Sequence, residues 1–192
     1  YEDMNLSLNF NFYDSFSDNI ATQDSFKIKN VSNRIGIKGN SKLFNYDIYG
    51  NFGYFKYHVN ALENSFSEIY VGGLLKYKNP SFDVVSNFEI KKSSDYRLKV
   101  DLKSKIFEAS YLSALYEPKI FERIYLGNHY SWENNFNSSF VNNLNAKINL
   151  ENRFITFSPS INFYTIKDHI YFVGDNHLQA DQVISFNQFI VE

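Results

Sequence analysis

The chain has 192 residues, a net charge of -2 and no Cys, with 20 Phe, 15 Tyr and 25 Asn. A length of one domain that is 44% apolar and 19% aromatic excludes a disordered polymer. The near-neutral charge supplies no basic surface for a nucleic-acid backbone, and the missing Cys removes disulfides, thiolate nucleophiles and thiolate zinc sites.

A membrane helix needs about 20 mostly apolar residues, whereas runs such as Val71-Gly72-Gly73-Leu74-Leu75 stop after a few. The chain opens Tyr1-Glu2-Asp3, without the basic head and apolar run of a signal peptide. It ends in Gln182-Val183-Ile184-Ser185-Phe186-Asn187-Gln188-Phe189-Ile190-Val191-Glu192, in the middle of a strand-like pattern, and so reads as a fragment of a longer protein.

Alternation of apolar and polar side chains at every second position dominates the sequence and predicts about ten strands. Leu6, Leu8, Phe10 and Phe12 share one face of the first, and the second, near 33–41, sets Ile35 and Ile37 against Arg34 and Lys38. Phe26-Lys27-Ile28 alternates out of phase with Val31 to Ile37, which predicts a bulge or loop between them. Tyr46, Ile48, Gly50, Phe52 and Tyr54 oppose Asp47, Tyr49, Asn51 and Gly53, and Ile69, Val71, Gly73, Leu75 and Tyr77 oppose Glu68, Tyr70, Gly72 and Lys76. Phe82, Val84, Phe88 and Ile90 then face away from Asp83, Asn87, Glu89 and Lys91. The cleanest run is Tyr96, Leu98, Val100 and Leu102 against Arg97, Lys99, Asp101 and Lys103, followed by Phe107, Ala109, Tyr111 and Leu115 against Glu108 and Ser110. Strands follow at 143–150 and 155–163, where Pro159 removes a ladder donor and predicts a bulge or an edge.

Short turns are expected at 42–45, 78–81, 104–105 and 151–153, with links at 14–25, 58–66, 92–95, 117–138 and 167–182 between them. All of these links but 92–95 are long. Tight turns alternating with longer loops are the pattern of an outer-membrane barrel. Counted as a spanning strand, Glu122 to Trp132 would put every later turn on the wrong side, so 117–138 reads as one external loop.

A soluble sandwich also alternates, but most segments here run about ten residues or more, matching the about 9–11 of a tilted membrane strand rather than the usual about 5–6. Tyr46, Tyr54, Tyr77, Tyr96 and Phe107 sit at strand ends, as aromatic girdles do. The fold class read from these signals is all-β, an antiparallel transmembrane β-barrel, complete or part of a larger one. Its polar face holds Arg34, Lys38, Lys76, Lys91, Arg97, Lys99, Lys103 and Lys147 against Asp47, Glu68, Asp83, Glu89, Asp101 and Glu108. Such a mixture suits either a water-filled lumen without strong ion preference or a narrow interior whose charges pair with one another. Arg97, Lys99 and Lys103 are the first of these to test.

The segment Asn128-His129-Tyr130-Ser131-Trp132-Glu133-Asn134-Asn135-Phe136 carries the only Trp. Asn128, His129, Trp132, Asn134 and Phe136 match the N-H-[FY]-x-W-x-N-x-F signature of the putative porin family of Bacteroidota, which this segment resembles. Asn162-Phe163-Tyr164-Thr165-Ile166-Lys167-Asp168-His169-Ile170-Tyr171-Phe172 is similar to a second segment of that family. The resemblance is most specific over 116–173. It implies an outer-membrane location, a pore, and chains longer than this one, and it brings no catalytic residues.

The function expected is passive diffusion of small hydrophilic solutes, with outer-membrane lipid as surroundings, no nucleic-acid partner, no cofactor and no catalysis. A scaffold whose loops at 58–66, 117–138 and 167–182 bind another protein is the alternative. An outer-membrane enzyme is a weaker one, and its candidates are His129 with Glu133, or Asp168 and His169 with Asp175 and His177 as imidazole and carboxylate metal ligands. The sequence contains no phosphate-cradling glycine loop or nucleophile elbow.

Overall fold

The computed structural model describes residues 26–59, 62–93, 95–126, 131–151, 153–174 and 176–191. The expected strand around Leu6 to Phe12 and the link at 14–25 lie outside them. Alternating β-branched and aromatic residues favour the extended backbone, and strands dominate: β1 (Phe26–Asn40), β2 (Phe44–Val59), β3 (Leu62–Lys78), β4 (Phe82–Lys91), β5 (Tyr96–Ser104) and β6 (Phe107–Tyr116). One helical turn, α1 (Ile120–Arg123), and a small hairpin of β7 (Ile124–Leu126) and β8 (Ser131–Glu133) interrupt the series. It resumes with β9 (Ser139–Ile148), β10 (Leu150–Glu151), β11 (Thr156–Phe157), β12 (Ser160–Lys167), β13 (Ile170–Val173), β14 (Asn176–Gln179) and β15 (Ile184–Ile190).

Nine of these form one antiparallel sheet in the order β1-β2-β3-β4-β5-β6-β9-β12-β15. The sheet is open: β1 and β15 are its edges, so closure into a barrel is not present among the described residues. The other six strands are three two-stranded hairpins in the connections. Because β6 pairs directly with β9, with Tyr116 opposite Ser139, the link at 117–138 is one excursion from the sheet, as parity demanded.

Three expectations are corrected. The β1–β2 pairing runs without a break from Phe26↔Val59 to Asn40↔Asn45, so neither a bulge nor a loop separates Ile28 from Val31. The long link at 58–66 is instead paired strand, from Phe55↔Phe66 through His58↔Glu63, which leaves only 60–61 between β2 and β3. Stacked Phe55 and Phe66 rings, 5.0 Å apart, the Lys56–Glu63 ion pair and the contact of His58 Nδ1 with Glu63 at 3.2 Å hold this extension together. The predicted strand at 155–163 is broken between β11 and β12 by Ser158 and Pro159, and the Pro159 carbonyl accepts from the Ile148 amide at 3.0 Å. A proline has no N–H to give the ladder, so the pairing lapses there and resumes at Ser160.

The apparent phase slip has a different cause. On the face that carries Ile35, Ile37, Ile48, Phe52, Ile69 and Val71, the apolar band ends at Val31, Tyr54 and Ile69. Beyond it the same face carries Lys27, Lys29, Lys56, His58 and Glu63, while the opposite face turns apolar with Ile28, Phe55, Tyr57 and Phe66. The two faces exchange character along straight strands, so the surroundings change and the backbone does not.

The apolar band is uncovered. Ile35 is 82% exposed, Ile37 66% and Val71 50%. The few buried apolar residues lie on the other face, namely Tyr49, Tyr57, Ala114, Val141 and Ile166. On the apolar face, Ser113 and Asn142 occupy facing positions, and the hydroxyls of Tyr96 and Tyr111 hydrogen-bond them at 3.2 and 3.1 Å.

One row across the polar face shows how the sheet makes room for an aromatic ring. Gly36, Tyr49 and Gly72 are consecutive partners on β1, β2 and β3. The Tyr49 ring lies across Gly72, and its hydroxyl donates to Glu89 Oε1 at 2.8 Å on β4, two strands away. A Cβ on Gly72 would meet that ring at 2.5 to 2.8 Å, whereas one on Gly50 would meet nothing within 4 Å. Gly72→Val is therefore expected to cost about 1–3 kcal/mol, read as a lower denaturant midpoint, while Gly50→Val leaves the midpoint near that of the parent.

Candidate functional site

All fourteen charged residues picked from alternation fall on one face of the sheet when the pairings are followed strand by strand. They are laced together. Arg34 and Lys38 on β1 flank Asp47 on β2 at 3.4 and 3.3 Å, and the Arg34 guanidinium lies 3.3 Å over the Tyr49 ring centre. Lys91 on β4 reaches Glu68 on β3 at 2.9 Å. Lys99 and Asp101 pair along β5 at 3.0 Å, and Lys103 meets Glu108 across the β5–β6 hairpin at 3.2 Å. Arg97 is the strand partner of Glu89, Asp83 of Lys103, and Lys147 of Glu108, so opposite charges face each other there too. Lys76 stands between Asn45 and Val85. Exposed pairs of this kind contribute about 0–1 kcal/mol each; their main effect is to balance the charge of the face.

The loops at one end of the sheet form a second, aromatic layer. Trp132 stacks on Tyr125 at 4.6 Å, and its indole N–H donates to the Phe121 carbonyl at 2.7 Å. Asn134 completes the fold of this loop, its side-chain amide donating to the Glu122 carbonyl at 2.9 Å and its backbone N–H to that of Arg123 at 2.6 Å. Phe136 is half-buried, and Asn128 and His129 lie outside the described residues. The Trp132 and Asn134 of the sequence motif therefore shape the loop.

This loop is tied to the next one. The Gln179 side chain donates to the carbonyls of Asn137 and Asp168 at 2.8 and 2.9 Å and accepts from the Asn137 N–H at 2.9 Å. The buried Ser139 donates its hydroxyl to the Asp168 carbonyl at 2.7 Å. Asp168 takes the left-handed conformation, φ 55°, at the start of the β13–β14 excursion.

The grouping of Asp168, His169, Asp175 and His177 as metal ligands is not what the described residues show. His177 packs between Trp132 and Phe172, 5.1 Å from each ring, and His169 stacks with Tyr171. Asp175 and His129 lie outside the described residues, and among those described no three His, Asp or Glu side chains gather to hold a metal. Imidazoles beside aromatic rings follow the same burial of flat surface as Trp132.

Between the tips of β2 and β3 and the stretch 116–123 lies a cavity of about 870 Å³, walled by Ile28, Phe55, Phe66, Tyr116 and Phe121 with Asp95 at its edge. Asp95 is only 5% exposed, and its Oδ2 accepts from the Glu117 N–H at 2.9 Å, which fixes the start of the long loop. Sequence reading missed Asp95, Gln179 and the reach of Tyr49 to Glu89. A signal existed only for the last, since Gly36 and Gly72 leave the rows beside Tyr49 empty.

These features define an all-β antiparallel meander with one uncovered apolar face, one charge-balanced face and an aromatic loop layer at one end. The chain belongs to the Putative porin family, whose model matches residues 1–190. Searches of curated proteins and of solved structures gave no match.

Gln179→Ala removes both hydrogen bonds to Asn137 in the other loop and the one to Asp168 within its own. Limited proteolysis is expected to cut within 117–138 several-fold faster in this variant, with a local cost of about 1–3 kcal/mol, while amide exchange in β4, β5 and β6 stays unchanged.

Proposed function

We propose that this chain forms the wall of an outer-membrane β-barrel through which small hydrophilic solutes diffuse passively, without cofactor or covalent chemistry. The observation that carries the reading is the division of the two faces, one apolar and bare, the other bearing fourteen charges. A soluble sheet would bury the apolar face, whereas lipid is the solvent in which it can stay open. From Phe44 to Tyr54 the band on β2 runs ten residue steps, about 33 Å along the strand and about 25 Å in height at a tilt of about 40°. That is the height of the apolar belt of outer-membrane barrels. Family membership favours the same location.

In this reading Arg34, Lys38, Lys76, Lys91, Arg97, Lys99, Lys103 and Lys147 line the lumen with Asp47, Glu68, Asp83, Glu89, Asp101 and Glu108. Eight cations against six anions, most of them paired or facing an opposite charge, leave a wet surface with weak selectivity. A second reading, a loop-covered scaffold or binding barrel without conductance, is favoured by the Gln179–Asn137 and Trp132–His177 contacts that draw the loops together.

Planar-bilayer recording of the full-length protein tests the proposal. Stepwise current with little preference between cation and anion is expected; a correctly inserted protein that passes no current supports the scaffold, and hydrolytic activity without current supports an enzyme. Leu98→Arg places a cation on the apolar face, where it costs about 2–4 kcal/mol at mid-depth, and insertion into vesicles should fail or weaken. Lys99→Gln, on the opposite face, should insert as the parent does, and equal tolerance at both positions would refute the sidedness.

A further inference from the structure

The outer face changes abruptly above the aromatic end of the band, and the change is confined to β1, β2 and the tip of β3. Lys29 faces Lys56 and Lys27 faces His58 in consecutive rows of the same side, two residues beyond Val31 and Tyr54. Lys29 and Lys56 are like charges on directly opposed strand positions and repel. One carboxylate answers them: Glu63 pairs with both Lys56 and His58. Its hydrogen bond to Lys56 holds the Glu63 carboxyl below its ordinary range and raises the Lys56 ammonium, so this pair stays charged around neutrality. Lys27 and Lys29 have no ion pair among the described residues, and both are exposed.

We propose that this patch binds the phosphate of anionic lipid headgroups in the leaflet on the long-loop side of the membrane. The proposal rests on the barrel reading, because only then does this face meet lipid. Its depth fits. Two residue steps beyond Tyr54 amount to about 5 Å of height at the same tilt, which carries the ammonium groups out of the hydrocarbon and into the headgroup layer. Flexible lysine stems reach along the apolar surface while their charged ends seek phosphate. A basic cluster at that level attracts anionic lipid by about a factor of five per residue, and salt weakens it.

The test uses the full-length protein folded into vesicles of phosphatidylcholine with a minor fraction of phosphatidylglycerol, followed by extraction into mild detergent and mass spectrometry of the lipid that stays bound. Retained phosphatidylglycerol should exceed its share of the vesicle, fall about twentyfold in the Lys27→Gln, Lys29→Gln double variant, and rise in Glu63→Gln. A Lys42→Gln, Lys78→Gln double variant at the short-turn end should retain as much as the parent. Equal retention by the parent and the Lys27, Lys29 variant overturns the proposal. Displacement of the lipid by inorganic phosphate at equal concentration does so too, since free phosphate would then be the ligand. Protease protection reports insertion separately: a chain that never enters the vesicle sinks the barrel reading as well, whereas insertion without selective retention sinks only the lipid site.

Discussion

A backbone amide or carbonyl within this sheet bonds to the strand beside it, and along each described main-sheet pairing no residue is skipped. Side is therefore settled by odd or even position on each strand. The charges of the polar face, the bare apolar band and the glycines beside Tyr49 all follow from that one condition. A slip by one residue anywhere would carry cations into the apolar band and leucines onto the charged face. Such an error is costly in water and worse in lipid, which makes the register hard to mistake.

Parity was accordingly what the sequence displayed best. Tyr96 to Lys103 alternates so regularly that strand, ends and facing could be read directly, and β5 occupies Tyr96–Ser104. The excursion between β6 and β9 was legible for a topological reason, since an extra crossing would have inverted every later turn. What failed were inferences that equated apolar with a single side. Ile28 and Phe66 obey the same parity as Arg34 and Glu68, but they stand past the end of the band, where they line a cavity beside the start of the long loop and stay partly exposed instead of meeting charges. Alternation could not announce that the environment would change midway along a straight strand, so an offset in pattern was taken for an offset in backbone.

Contacts between loops were illegible for another reason. Gln179 binds Asn137 in the other loop, 42 positions away, and Asp168 in its own, 11 positions away, and no period links them. The histidines illustrate the reverse hazard. Asp168, His169 and His177 look like ligands when read as letters along the chain, yet the β13–β14 hairpin sets His177 opposite Phe172 and against Trp132 of β8. Residue type proposed a chemistry, and packing around flat rings assigned a different task.

In this meander, neighbours in the sheet are neighbours in sequence once the loop hairpins are set aside. From β1 to β6 each pair of strands closes through a short connection, so pairing can spread from one hairpin to the next there without first bringing distant segments together. The same layout is modular. Deleting or duplicating a hairpin such as β4–β5 would change the sheet by two strands and return every remaining side chain to its original side, which, in the barrel proposed above, gives evolution, or an engineer, a way to change bore width without redesigning the wall.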